Sequence, residues 1–531
     1  MHPALSFPDI LEHIFDPLVP EKYHPEAIPN RRTLVALTTT CKVFYEPAMA
    51  ALWHEMHDMN PFVKCLPADA WRSDGRNALK EEVLTIVRPI REQDLTRLRP
   101  LLRRVKSFHY KPYGANPKEN SAILSVLNAI AAFFTVKDPL FPNLYRLRFG
   151  VFFALDSNVD FSGYLGLFLG PRVVHLRVRV NPGLLESSAC LCGPVLSQLE
   201  SFESDMGGPG NLSPYINCVR SLALPMAGQD WLEDLSTRYA SLSSLTLHDT
   251  VLGDCGAASG LSFPALTSIH FQRSSVAFAI EFLGIADKWV LKSIYVGLSG
   301  SPEPESILKV FLETLVARLN PSLFESLQIR GHYDLGMPPL SVGPQHALKS
   351  GSSVFSALAV FSRLRELVIT TGAGAFLCDA DLANFGPSLP KLRVLRLESG
   401  TAAHYIGPTT WAGIAALTKA CPFLEELCVP LDANPPFRGP FPAQLHTHLT
   451  ILDVAASRIS ASSVGRVSST ILPRLFQNLS RIDGTKSLGP EHRAAWRLVE
   501  QSVCGTRRQE IEAKEARMRA LSSKHYGCSC C

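Results

Sequence analysis

One pattern, apolar-x-x-apolar-x-apolar, recurs along most of the chain and restricts its fold more than any other feature. Clear copies are FPNLYRLRFG (141–150), LSSLTLHD (242–249), FSRLRELVIT (361–370), LPKLRVLRLESG (389–400), CPFLEELCVP (421–430) and HLTILDVAAS (448–457). Weaker copies begin at residues 103, 171, 196, 216, 263, 290, 322 and 475. Taking the second apolar position of each copy as an anchor gives Phe108, Leu147, Leu176, Phe202, Leu222, Leu245, Ile269, Ile294, Leu327, Leu367, Leu395, Leu427, Leu452 and Ile482. The mean spacing is about 29 residues, with single gaps from 20 to 40. Each copy fits a short strand whose alternate side chains turn inward. Helical periodicity fills the gaps. It is clearest in PESILKVFLETLVARLN (304–320), where Ile307, Val310, Phe311, Leu315 and Leu319 lie close to a 3.6-residue period. ENSAILSVLNAIAAFF (119–134) and TTWAGIAALTKACPFL (409–424) read the same way. One strand and one helix cannot bury a core alone, but stacked copies can, so the expected class is α/β. Independent amphipathic helices would not repeat at this period with Pro or Gly between copies.

Over residues 101–487 the array resembles leucine-rich repeats. The resemblance implies an irregular solenoid of about 13–14 units, a horseshoe with parallel strands on the concave face and helices outside. One family feature is weak. The Asn or Cys expected after each strand appears once, as Asn181, whereas other units have residues such as Thr250, Ser274, Ser299, His332, Asp432 or Ser457 there. No regular asparagine ladder is expected, and curvature should be less uniform than in a regular horseshoe.

Residues 1–60 stand apart. FPDILEHIFDPLV (7–19) places Ile10, Leu11, Ile14, Phe15 and Leu18 on one helical face, with Pro8 in the first turn. RRTLVALTTTCKVFYEPAMAALWHEM (31–56) supplies two more helices, one carrying Leu34, Leu37 and Cys41, the other Met49, Leu52, Trp53 and Met56 after Pro47. Three short helices barely make a self-sufficient core, which leaves an apolar groove for a partner. This segment resembles an F-box, in the variant found in fungal F-box/leucine-rich-repeat proteins. The resemblance is carried by Phe7-Pro8, Ile10-Leu11, Ile14-Phe15, Leu18, Leu34, Leu37, Cys41-Lys42, Phe44 and Leu52-Trp53. It departs in having Phe7 where Leu is usual and a long connection over residues 19–30. The resemblance implies that Pro8, Ile10, Leu11, Ile14, Leu18, Leu34, Leu37, Cys41, Leu52 and Trp53 pack the helices and contact a Skp-family adaptor. That adaptor would tie the chain to a cullin scaffold. A second reading makes the module only a cap on the first repeat. Residues 61–100 are expected to form a helical linker and 488–531 a helical tail.

In the strand pattern, the positions between apolar residues share one sheet face. In the first three units they are Ser107, His109 and Lys111, then Arg146, Arg148 and Gly150, then His175, Arg177 and Arg179. The next unit reverses sign with Glu203 and Asp205. Lys111, Arg146, Arg148, His175, Arg177 and Arg179 are therefore candidates for binding an acidic or phosphorylated protein segment. The competing reading is a solvated face whose arginines pair with Glu203 and Asp205.

Composition sets the outer limits. Apolar residues make up 46% and charged residues 19%, enough for a large core. Fifty-two basic and 48 acidic side chains leave a net charge of +4, too little to point to nucleic acid without a local cluster. No run of about 18 apolar residues is present, so no membrane span is expected. The start of the chain lacks the basic region of a secretory signal. Thirteen irregularly spaced cysteines fit a reducing compartment, and an intracellular location is expected. The final CSCC resembles a prenylation box only in part, so lipidation at Cys528, Cys530 or Cys531 stands beside an unmodified tail. No phosphate-binding loop, zinc-protease or nucleophile-elbow motif occurs. ACLC (189–192) lacks a partner pair at zinc-like spacing. The resemblance to F-box/leucine-rich-repeat proteins implies a non-catalytic substrate receptor of a cullin–RING ubiquitin ligase, and no cofactor or metal is expected. The alternative is a repeat scaffold with no ligase role.

Overall fold

The computed structural model describes residues 7–19, 27–77, 82–110, 117–135, 137–150, 161–179, 193–205, 216–225, 229–248, 260–299, 305–332, 355, 357–371, 377–399, 409–437, 441–442, 444–454, 457–483 and 489–505. They fall into two compact units, Met1–Thr246 and Leu247–Cys531.

The first unit opens with α1 (Pro8–Phe15), α2 (Ala27–Thr40) and α3 (Lys42–Trp53). Pro8 sits in the first turn of α1, where its missing N–H costs nothing. Cys41, in extended conformation, breaks α2 from α3. The third helix therefore starts at Lys42 and carries Pro47 inside it, rather than beginning after Pro47. Met56, expected on its apolar stripe, lies instead in a strand, β1 (Glu55–Met56). Leu11, Phe15, Leu34, Ala48 and Ala51 form the core of the three helices, with Leu18, Leu37, Phe44 and Leu52 packed around it. The rings of Phe15 and Phe44 meet edge-on at 5.9 Å.

Residues 61–100 are not a helical linker. After a single-turn helix, Asn60–Lys64, the chain forms an antiparallel pair, β2 (Trp71–Arg76) and β3 (Glu82–Ile86), then two short helices, Glu92–Leu95 and Arg99–Leu102. The segment is broken by Pro and Gly, which interrupt a 3.6-residue apolar stripe, and EVLTI is short and rich in β-branched residues, which favour strand. Arg88 fastens the pair to the helix that follows, with Asp69 and Asp94 each 2.7 Å away.

The repeats supply β4 (Ser107–Tyr110), β5 (Arg146–Gly150), β6 (His175–Arg179), β7 (Ser201–Ser204), β8 (Ser221–Pro225) and β9 (Ser244–His248). In the second unit the strands are β10 (Ser268–Ser274), β11 (Ser293–Ser299), β12 (Ser326–His332), β13 (Glu366–Thr371), β14 (Val394–Ser399), β15 (Glu426–Cys428), β16 (Ile451–Asp453) and β17 (Arg481–Asp483). The anchors set the register. Phe108 pairs with Leu147, Leu147 with Leu176, Leu176 with Phe202 and Phe202 with Leu222. From Ile269 to Ile482 each anchor again faces the next, always in parallel strands. All fourteen anchors are buried.

Two residues before twelve of the fourteen anchors, a backbone carbonyl accepts two N–H groups of the following repeat. Lys106 O takes Tyr145 N and Arg146 N at 2.9 and 3.1 Å, and Arg393 O takes Glu425 N and Glu426 N at 2.7 and 3.1 Å. The same double bond recurs at Tyr145, Val174, Glu200, Arg220, Thr267, Lys292, Glu325, Arg365, Glu425 and Thr450. This carbonyl ladder provides backbone cohesion that the sparse asparagines do not; Asn181 itself lies outside the described residues.

Helices join the strands. In Glu305–Arg318 the buried stripe is Leu308, Phe311, Leu312 and Leu315, continued by Leu319, while Val310 is exposed. The expected stripe was one position off at its start. Helices Asp379–Phe385 and Trp411–Ala420 pack closely. Asp379 accepts from Thr410 N and Thr410 Oγ1, both at 2.6 Å, and Asp381 accepts from Cys378 N at 2.8 Å. A Cβ on Gly413 would lie 2.9 Å from Asp379 Cα. Gly413→Ala should therefore cost about 1–3 kcal/mol by overpacking. The check is a lower urea midpoint with an unchanged slope; an unchanged midpoint would contradict this packing.

Candidate functional site

The helical module is the first candidate. Ile10 and Ile14 are 40% and 48% exposed on the outer side of α1, whereas Leu11 and Leu34 are buried in the module's own core. Leu18, Leu37 and Leu52 are half-buried against that core, and Cys41 and Trp53 are also half-buried. Of Pro8 the structure gives the backbone position only. Val35, Val43, Tyr45 and Phe7 add to the exposed apolar set. At its far end the module is joined to the first repeat. His54 O accepts from Lys106 N and Ser107 N at 3.0 and 2.9 Å, β1 pairs in parallel with β4, and Arg104 bonds Glu46 at 2.7 Å.

The second candidate is the basic strand face. His109, Arg148 and Arg177 are register neighbours on β4, β5 and β6, as are Arg146 and His175 on β5 and β6. Their environments differ. Arg177 is bound to Glu203 at 3.2 Å and Asp205 at 3.4 Å, so its charge is largely answered within the sheet. The Arg146 guanidinium lies over the Tyr145 ring at 5.6 Å, and His175 meets that ring edge-on, also at 5.6 Å. Burial, then the Arg146 charge, hold the His175 imidazole below its ordinary value. Arg148 is exposed. Arg179 is engaged in interactions of its own, and Lys111 lies outside the described residues. The sequence places these cations on one face; the structure distinguishes Arg148, exposed, from Arg177, neutralised.

A third group was not singled out from the sequence. Glu55 on β1, His57 just after it and His109 on β4 converge. Glu55 Oε1 is 3.1 Å from His57 Nε2 and 3.4 Å from His109 Nδ1, and the two rings are edge-on at 5.1 Å. His57 Nε2 is buried. Against the opposing effect of burial, its contact with Glu55, together with the nearby His109, helps hold the Glu55 carboxyl below its ordinary value. The other nitrogen of His109 is 3.3 Å from Ser107 Oγ. Burial pushes His109 down to about 4, with Glu55 pulling up and Arg148 pushing down. Only the parallel pairing of β1 with β4, invisible in a two-residue strand, brings these residues together.

No family model matches the chain, and no curated protein matches its sequence. Solved structures align over long stretches at low identity. A leucine-rich-repeat protein of Leptospira interrogans matches at 12% identity and a TM-score of 0.29, over 80% of this chain and 99% of that one. A chain from the complex of Rad7 and Elc1 in yeast matches at 14% and 0.29, over 59% and 86%. The leucine-rich repeat domain of APL1B matches at 12% and 0.22, over 65% and 75%. The repeat architecture itself rests on the strand pairing described above. Among the described residues no helix is long and apolar enough to cross a membrane.

His54, His109, His175, His270 and His446 are all held below the ordinary histidine value, chiefly by burial. The unfolded chain then binds more protons than the folded one below about pH 6.5, so stability falls as the pH drops from there toward 4. In chelator-treated buffer the urea midpoint should be lower at pH 5.5 than at 7.5, and His109→Gln should narrow the difference. Equal midpoints would refute this linkage.

Proposed function

We propose that the chain is the substrate-recognition subunit of a cullin–RING ubiquitin ligase of the F-box/leucine-rich-repeat kind. In this reading α1–α3 bind a Skp-family adaptor and the strand face of the repeats binds a protein substrate. The observation that carries it is the division of α1–α3 into two apolar sets. Leu11, Phe15, Leu34, Ala48 and Ala51 fill the inner core, yet Phe7, Ile10, Ile14, Val35, Val43 and Tyr45 remain exposed. Six exposed large apolar side chains on so small a module support its reading as an interaction surface. The chain would act by proximity. Two binding surfaces on one polypeptide raise the effective concentration of substrate lysines near the transferring enzyme, so no catalytic residue is required of it.

The alternative, a repeat scaffold whose helices only cap the first strand, is favoured by the His54 carbonyl bonds and the pairing of β1 with β4. A cap and a docking module can coexist, because the backbone capping contacts lie beyond the end of α3 and the ion pair with Arg104 is made by Glu46, whereas exposed Ile10 and Ile14 lie on α1.

Co-purification with a Skp-type adaptor separates the two readings. Ile10→Asp with Ile14→Asp should weaken capture at least about tenfold by burying charge at the contact while leaving the thermal melt unchanged. Leu34→Asp should instead unfold the module. Absence of adaptor from the unmodified chain would leave the scaffold reading standing. For the substrate side, Arg148→Glu should reduce capture of an acidic or phosphorylated target more than Arg177→Glu, because Arg177 already has two carboxylate partners. Capture that survives both changes would remove the basic face from the mechanism.

A further inference from the structure

We infer that Glu55, His57 and His109 form a binding site for a divalent transition-metal ion, zinc in the first instance. The ion would clasp the end of the helical module to the first full repeat. Parallel pairing sets the geometry. Glu55 faces Ser107 and Met56 faces Phe108, so the next step along each strand brings His57 beside His109. Glu55 and His57, two apart, point to the same side. Zinc binds imidazole nitrogen and carboxylate oxygen at about 2.0–2.1 Å, so neighbouring donors of a tetrahedral site lie about 3.3–3.4 Å apart. The two distances from Glu55 Oε1, 3.1 and 3.4 Å, match that edge, and the three donor atoms lie within 4.8 Å of one another.

Burial strengthens the inference. The side chains of His57, Glu55 and His109 are 8%, 14% and 18% exposed. His57 Nε2 is buried and has Glu55 Oε1 as its polar neighbour at 3.1 Å, so a ligand nitrogen and a ligand oxygen are already held together away from bulk water. Ser107 Oγ occupies the remote nitrogen of His109, the arrangement that orients a histidine ligand and frees Nδ1 for the ion. Two imidazoles and one carboxylate suit zinc better than calcium or magnesium, which favour all-oxygen sites. Arg148, beside His109 in the register, opposes the ion's charge, and Glu55 is the carboxylate that offsets it. Three protein donors leave the fourth tetrahedral position to water.

The test uses the full chain carrying Cys528→Ser, Cys530→Ser and Cys531→Ser, which removes thiols that would bind zinc on their own. Titration with zinc chloride against a competing chelator should give one equivalent bound and a rise in melting temperature. Glu55→Gln, nearly isosteric, should weaken binding about 10–100-fold. His57→Ala with His109→Ala should abolish both binding and the melting shift. Cobalt at the same site should show a visible band without thiolate charge transfer, and His109→Gln should lose it. No stoichiometric zinc in the parent, or zinc retained unchanged by the double histidine variant, would overturn the proposal. If that variant fails to fold in chelator, Glu55→Gln decides: undiminished binding there would also overturn it.

Discussion

In twelve of the fourteen repeats one backbone carbonyl, two residues before the anchor, accepts two N–H groups of the next repeat, and the regularity of the strands depends on it. Each such bond contributes only about 0.5–1.5 kcal/mol net. Their value lies in position. They recur at the point where each strand starts, so a buried anchor and its carbonyl together fix where the next strand begins. Connections between anchors vary from 20 to 40 residues without changing the register, because nothing in the ladder measures loop length. Side-chain variation at the usual asparagine position is tolerated for the same reason.

The ladder also explains why the helical module is more than an appendage. Its first rung is not in a repeat at all. His54, one residue beyond α3, offers the carbonyl that Lys106 and Ser107 bond. The module therefore ends where the repeats begin, and β1, two residues long, has the same relation to β4 that β4 has to β5. Its outer surface is released from any capping duty, so exposed Ile10 and Ile14 have no role in closing the first strand.

Much of this was legible in the sequence. The anchors alone marked the strand positions, and a pairing slipped by one residue would turn every buried side chain outward. The division of the early helices was readable too, apart from the start of α3, where Pro47 suggested a later beginning. The hairpin at residues 71–86 was missed because two short strands outside the repeat pattern carry no anchor to mark them. Val310 was misplaced because neighbouring apolar residues fit a stripe in more than one phase. Site residues were less legible. Arg148 and Arg177 look alike in the pattern, and only the carboxylates of Glu203 and Asp205, brought across from the adjacent strand, tell them apart. Glu55, His57 and His109 carry no motif, since half of that cluster's proximity comes from a strand too short to announce itself.

Asp379 begins one repeat's helix, yet its carboxylate holds Thr410, the residue that starts the helix of the next. Neither helix can fray at its start without breaking the half-buried hydrogen bonds between Asp379 and Thr410. The two segments are therefore coupled as a single cooperative block. A repeat array built from nearest-neighbour contacts would ordinarily open from its ends one unit at a time. Here a side chain welds two units into one, giving the array an internal stretch that opens together or not at all.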